Sequence, residues 1–438
     1  MSQPEPPRAT HRAIEAVWRI EAARLIAGLG RLVHDIGQAE ELAQDALVAA
    51  LEQWPAGGVP ENPGAWLMAV AKRRAIDQIR RRERFERKQV EIGHDLETRR
   101  DPSEDDFDSV LDSAAGNISD DLLRLVFTAC HPVLSTEARV ALTLRVLGGL
   151  TTTEIARAFL VPESTVAQRI VRAKKALAKA GVRFEAPVGQ ELAERLPSVL
   201  EVVYLVFNEG YSATAGDDWM RPALCEDALR LGRILAELVP GEPEVHGLVA
   251  LMEIQASRSR ARTGPGGEPI LLLDQDRARW DHLLIHRGRT ALTRAMALCG
   301  PPERPALGPY ALQAAIAACH ARARTAEQTD WARIAELYGA LAWVVPSPVV
   351  ELNRAVAVSM ASGPAAGLEL VDQLASAPEL ASYHLLPTVR GDLLAKLGRL
   401  EEARGEFERA AALTANERER ALLTRRAEEC AGADAATG

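Results

Sequence analysis

Aromatic side chains are scarce, at 4% of 438 residues, while Ala, Leu, Arg and Glu dominate. That balance favours an all-α chain. Cysteine is also thin on the ground. Cys130, Cys225, Cys299, Cys319 and Cys430 are odd in number, widely scattered and never in a Cys-x-x-Cys arrangement. They suggest neither a disulfide framework nor a zinc site. Cys130-His131 and Cys319-His320 are adjacent pairs, a spacing that suits core packing better than metal ligation on a helix. There is no apolar signal segment and no apolar run long enough to span a bilayer, so a cytoplasmic protein without membrane contact is expected. Basic charge is not in surplus either: the net charge is −9 and the pI near 5.6. Nucleic-acid binding survives this, because the charge is segregated. Basic runs sit at 72–88 and 169–183, an acidic run at 101–108, and local patches set the electrostatic footprint. The length suggests two or three domains.

The most informative stretch is 151–177. Thr151 with Glu154 three places on is a capping-box pattern, and Ile155, Ala156 and Phe159 share one face of the helix that follows. Pro162 pushes Val161 out of the helical region and suits a first helical position, so Leu160-Val161 is a break. A second helix then places Val166, Ile170, Ala173 and Leu177 on one apolar stripe. Its other face offers Ser164, Thr165, Gln168, Arg169 and Arg172, followed by Lys174 and Lys175. This is a helix-turn-helix with hydrogen-bonding tips early and positive charge late, the order needed to read base edges and hold phosphates. An ordinary helical hairpin in an all-α core is the alternative, and the neighbouring segments decide.

Residues 1–10 read as a disordered tail. Helices are expected from Ala13 to Leu32 and from Gln38 to Gln53, the second ended by Trp54-Pro55. A loop through Pro60 to Gly64 leads into a long helix from Ala65 to about Lys88. Its apolar side is Trp66, Leu67, Val70, Ala71, Ile76 and Ile79; Lys72, Arg73, Arg74 and Arg80–Arg82 make the rest positive. Arginine-rich helix faces are often merely solvated, but two basic helical modules joined by an acidic linker at 90–118 point to DNA contacts at two places.

These features together resemble an extracytoplasmic-function (ECF) sigma factor of bacterial RNA polymerase. The resemblance is carried by Ala39-Glu40-Glu41-Leu42-Ala43-Gln44-Asp45-Ala46, by Pro63, Trp66-Leu67, Val70-Ala71, Ala75-Ile76-Asp77 and Arg80-Arg81, and by the helix-turn-helix. It implies sigma domain 2 at 11–89, an acidic flexible linker at 90–118 and sigma domain 4 at 119–185. It further implies that Glu40, Glu41, Leu42, Gln44 and Asp45 dock on the clamp helices of the polymerase largest subunit, with the flap as a second polymerase contact. Asn62, Arg73, Arg74, Asp77, Arg80 and Arg81 would serve the −10 element, and Ser164, Thr165, Gln168, Arg169, Arg172 and Lys175 the −35 element. Promoter DNA and core polymerase are the implied partners. No catalytic residue, cofactor or metal is expected, because the polymerase does the chemistry.

From 190 to 430 the chain reads as a helical extension. Pro197 to Tyr211 is a strongly apolar block. Gly391, Gly398, Ala403, Phe407 and Ala410 resemble the small and aromatic positions of a tetratricopeptide (TPR) hairpin, with Ala415 where the usual closing Pro stands. Gly264-Pro265-Gly266-Gly267 lacks the Lys-Ser/Thr of a phosphate loop and reads as a turn. Asp274, Asp276, Asp281, His282 and His286 could mimic a metal site, but Arg277, Arg279 and Arg287 argue for ion pairing. A partner-binding or self-docking extension that activity requires is the main expectation, with an anti-sigma or signalling protein as a candidate partner. The runner-up is a DNA-binding regulator with a ligand-binding, partner-binding or enzymatic C-terminal domain.

Overall fold

Proline and capping residues set most helix starts. The computed structural model describes residues 7–91, 118–159, 161–212, 220–265, 268–299, 307–414 and 416–437. Among these the chain is all-α, with eighteen α-helices and no strand, and an isolated bridge joins Thr263 to Pro269. The chain divides into two compact units, 1–202 and 203–438.

The first unit begins with α1 (Pro7–Val33), α2 (Ile36–Gly57) and α3 (Pro63–Glu91). Helix α1 starts earlier than expected, so residues 7–10 are helical. The Asp35 carboxylate caps α2 by accepting from the Gln38 amide at 2.8 Å, the ordinary use of Asp at this position. The expected stop at Trp54-Pro55 is corrected: α2 runs through Pro55 to Gly57, closed by Gly58 N–H donating to the Trp54 carbonyl at 2.8 Å. A proline in a last turn removes a single ladder bond, which a helix end tolerates better than an interior. Asn62 accepts from the Ala65 amide at 3.1 Å, starting α3. Leu67, Ala71 and Ala75 are buried, while Trp66 packs edge-on against Trp54 at 5.3 Å. Almost all of the acidic linker lies outside the described residues.

The module that follows has α4 (Ile118–Ala129), α5 (Thr136–Val146), α6 (Thr152–Phe159) and α7 (Glu163–Lys179). The capping box forms as the spacing required: Thr151 Oγ1 accepts from the Glu154 amide at 3.1 Å, and Glu154 Oε2 accepts from the Thr151 amide at 2.8 Å. Leu160 lies outside the described residues. Val166, Ile170, Ala173 and Leu177 are all buried, so the apolar stripe of α7 is its core face. Within the same unit this module packs on α1 and reaches α2 through ion pairs to Glu40. Phe184 is the clearest wedge, since its ring would lie 2.7 Å from any β-carbon at residue 30, a place only Gly30 can hold.

Helix α8 (Gln190–Tyr211) starts inside the first unit and ends inside the second. The division therefore falls within this helix, later than residue 190. Its apolar block is core, with Val199, Leu200, Val202, Val203, Val206 and Phe207 buried.

The second unit continues with α9 (Pro222–Leu238), α10 (Pro243–Ala256), α11 (His282–Leu298), α12 (Pro309–Arg322), α13 (Trp331–Val344), α14 (Pro348–Ser362), α15 (Pro364–Leu374), α16 (Leu385–Lys396), α17 (Leu400–Leu413) and α18 (Glu417–Thr437). Five of these start on proline, which is pre-set for a first turn. From α11 onward each helix packs on the next, and α10 packs on both α11 and α12. The TPR-like hairpin is α16–α17. Ala403, Phe407 and Ala410 are buried in one cluster with Leu393 and Leu394. Gly391 lets the helices close, because a β-carbon there would meet the Phe407 ring at 3.0 Å. Residue 415 is outside the described residues. Asn416 accepts from the Arg418 and Glu419 amides and caps α18.

Candidate nucleic-acid and partner interfaces

The face of α7 expected to read DNA is open to solvent. Ser164, Gln168, Arg172 and Lys175 are exposed and Thr165 and Arg169 half-buried, opposite the core stripe. The α6–α7 hairpin that presents them is stiffened at its start. Burial pushes the Glu154 carboxyl up, but bonds from Thr151 and the Arg19 guanidinium outweigh it, and the net shift is downward. Glu154 thus stays ionised and keeps its cap.

On α3 the arginines line a continuous outward face. Asn62, Arg73, Asp77 and Arg81 are exposed, Arg74 and Arg80 half-buried. Arg74 pairs with Asp45 of α2 at 3.2 Å, so a residue read for polymerase contacts touches one read for the −10 element. Asn62 spends its side-chain oxygen on the helix cap.

The five residues read as a polymerase-docking block separate into two sets. Glu41 and Asp45 are exposed and Gln44 half-buried, whereas Leu42 is fully buried and Glu40 is 2% exposed. The outward stripe continues to Val48, which is 49% exposed. Sequence reasoning missed Val48, although the Glu41-Asp45-Val48 spacing of four and three is the helical signal for one face. It also missed what holds Glu40. Arg145 Nε donates to Glu40 Oε1 at 2.6 Å, the Lys174 ammonium lies against Oε2, and Gln44 donates to the same carboxylate.

In the extension, the acidic cluster is not ion-paired with its arginine neighbours as expected. Asp276 caps the short turn at Ala278, and Asp281 caps α11 through the Leu283 and Leu284 amides at 2.9 and 3.1 Å. Arg277 instead donates to the His320 and Ala323 carbonyls and to Thr329 Oγ1. Carboxylates flanking helix starts have free amides nearby, and those won over the neighbouring cations. Cys130 and Cys319 are buried, as core packing required, and burial pushes the Cys130 thiol up to about 11. Burial beside Arg258 and Arg277 holds His320 down to about 3.

Three family models match the chain: "Sigma-70 region 2" over 19–85, "Sigma-70, region 4" over 124–177, and "Family of unknown function (DUF6596)" over 195–296. The fold and the paired regions define an ECF-type sigma factor with a C-terminal extension, and the chain belongs to that family. It is 45% identical over 394 residues, 90% of each chain, to "Uncharacterized protein R00370" of Rhizobium meliloti (strain 1021). It is also 31% identical over 169 residues to "Probable ECF RNA polymerase sigma factor SigI" of Mycobacterium tuberculosis, in two strains. That match spans 38% of this chain and 54% of the relative. Among the described residues no helix is long and apolar enough to cross a membrane.

Proposed function

We propose that the chain binds core RNA polymerase through α2 and directs it to a small promoter set, with an extension that activity requires. The observation that carries this is the coexistence of three outward faces on one chain. One is the Glu41-Asp45-Val48 stripe, the second the arginine face of α3, the third the reading face of α7. A duplex-binding repressor needs only the last.

The division of labour follows from chemistry. Opening a promoter costs unstacking energy, so a base extruded at the −10 element must be captured and its backbone held. Arg73, Arg80 and Arg81 supply the backbone contacts, with Asn62 and Asp77 beside them. At the −35 element Ser164, Thr165, Gln168 and Arg169 face base edges in the major groove, and Arg172 and Lys175 hold phosphates. Glu41, Gln44, Asp45 and Val48 form the contact to the clamp helices. Leu42 acts from the core, by fixing the angle of α2. A signalling or anti-sigma partner, if one acts, has the surface of the extension available.

The extension's necessity has its own support. The N-terminal half of α8 clasps the helix-turn-helix module. Arg195 donates to the Phe127 carbonyl at 2.7 Å, Ser198 Oγ donates to the Cys130 carbonyl at 2.7 Å, and Arg139 pairs with Glu201 at 3.1 Å. Severing the chain after Phe184 removes every one of these.

Binding of the full chain to purified core polymerase tests the reading. Asp45→Arg together with Glu41→Arg should weaken it at least tenfold and leave duplex DNA binding intact. Unchanged polymerase binding by that folded double variant would remove α2 as the docking helix.

A further inference from the structure

We propose that the extension carries a binding site for a small organic carboxylate, built around Arg258, Trp280 and His320 where α10, α12 and the turn at 277–280 meet. The site goes beyond the sigma-factor reading and does not depend on it.

Local chain chemistry brings these side chains together. Helix α10 ends at Ala256, and the Asp281 amide donates to the Ser257 carbonyl at 2.8 Å. That bond pins Trp280 against the stretch that carries Arg258. The Arg258 guanidinium lies 5.9 Å from the centre of the Trp280 rings, and the Arg277 guanidinium 4.9 Å. Arg277 reaches on to the last turn of α12, where it donates to the His320 carbonyl at 2.6 Å. The His320 ring stands edge-on to Trp331 at 5.1 Å.

Polar groups in this cluster are left over once the fold has made its own bonds. Trp280 is 4% exposed and His320 9%, yet neither Trp280 Nε1 nor His320 Nδ1 has a hydrogen-bond partner. Arg258 donates from Nη2 to the Tyr211 hydroxyl at 2.7 Å, while its Nε is buried without an acceptor. Buried polar atoms are nearly always satisfied, so three orphans in one cluster point to a group that arrives from outside. Charge says the same. The acceptors held by Arg258 and Arg277 are all neutral: a tyrosine hydroxyl, two carbonyls and a threonine hydroxyl. Burial, then the neighbouring Arg258, lowers the Arg277 guanidinium, and the exposed Glu327 offsets this in part. Arg258 is left as the uncompensated cation, and a monoanion closes that balance.

A carboxylate suits the site because its two oxygens can accept from an arginine edge and from a second donor at once. The Nε–H of Arg258 and the indole N–H of Trp280 are those donors. Tyr211, Trp280 and Trp331 offer aromatic faces for the rest of the acid, the mixture of apolar wall and few polar groups usual in small-molecule sites. Arg258 and Arg277 are half-buried, so the cluster is reachable from solvent. A phosphate dianion carries more charge than Arg258 alone balances.

Nuclear magnetic resonance of the full chain, with 15N in its tryptophan indoles, tests this with benzoate as the probe. The seven tryptophans give seven indole signals, and Trp280→Phe assigns the one from Trp280. Benzoate should move that signal downfield, as an N–H gaining an acceptor does, and the shift should saturate with a dissociation constant below about 10 mM. Sodium chloride at the same ionic strength should leave it in place. Arg258→Met should weaken benzoate binding at least tenfold. Arg258→Lys keeps the charge but not the Nε–H and should weaken it at least threefold; it decides the matter if the Met variant does not fold. A Trp280 signal that benzoate does not move saturably, or a folded Arg258→Lys variant that binds as the parent does, overturns the site. Inorganic phosphate binding more tightly than benzoate overturns the carboxylate assignment.

Discussion

Arg195→Ala isolates the brace between the extension and the helix-turn-helix module. The Arg195 side chain is 12% exposed and makes two separable contacts on the module. One is a charge-assisted bond to the Phe127 carbonyl, which at 2.7 Å is worth about 1.5–3 kcal/mol. The other places the guanidinium 5.5 Å from the centroid of the Phe127 ring, worth about 0.5–1 kcal/mol. The ion pair to Glu191 contributes little, because that carboxylate is 60% exposed. The sum is about 2–4 kcal/mol, lost locally from α4 and the start of α8. Hydrogen exchange of α4 amides should therefore speed up by at least roughly tenfold, with promoter output falling in parallel. Arg195→Lys should recover only part of the loss, since an ammonium cannot stack and donate in the same way. Exchange in α4 unchanged within twofold would refute the brace, and with it the argument that the extension supports the module mechanically.

Three further outcomes follow from the same geometry. Gln168→Ala or Arg169→Ala should cost about 1–3 kcal/mol at one −35 position in a base-substitution binding series, whereas Lys175→Ala should weaken all sequences evenly and lower the salt slope by about one; equal, sequence-independent losses at all three would misplace the reading face. Ile170→Ala should lower stability in urea titration by about 2–5 kcal/mol, because its side chain is in the core stripe of α7. His320 is held neutral in the fold at about 3 against an ordinary value near 6.5, so its contribution is fully present above pH 6.5 and is lost as pH falls toward 3, with a slope of at most about 1.4 kcal/mol per pH unit; His320→Leu should flatten the acid limb of a stability-against-pH curve.

Local chemistry made much of this fold readable from the residues alone. The Thr151–Glu154 box and the 166-170-173-177 stripe each have a short-range cause and appear as the spacing required, whereas Pro162 stands one place earlier than a first helical position, as the residue that caps α7. The α16–α17 hairpin was readable for the same reason, since Gly391 and Phe407 meet within one supersecondary unit. Pro55 misled because a helix end tolerates a missing amide that an interior does not. The arginines at 277, 279 and 287 misled because proximity in sequence says little about which acceptor wins: Arg277 reaches carbonyls more than forty residues away. Glu40 was legible as part of a docking block but not as a buried ion-pair centre. Its partners at 145 and 174 come from another module, and nothing in the spacing of either segment points to the other. Val48 could have been found by extending the Glu41-Asp45 spacing one turn.

Transcription in vitro with purified core polymerase and the intact chain tests the central claim most directly. Fragments of the source genome should yield discrete transcripts that require both components and that fall when Asp45 or Arg169 is substituted. Absence of any promoter-dependent transcript, with the chain alone giving tight footprints on duplex DNA, would contradict the account and leave a conventional DNA-binding regulator in its place.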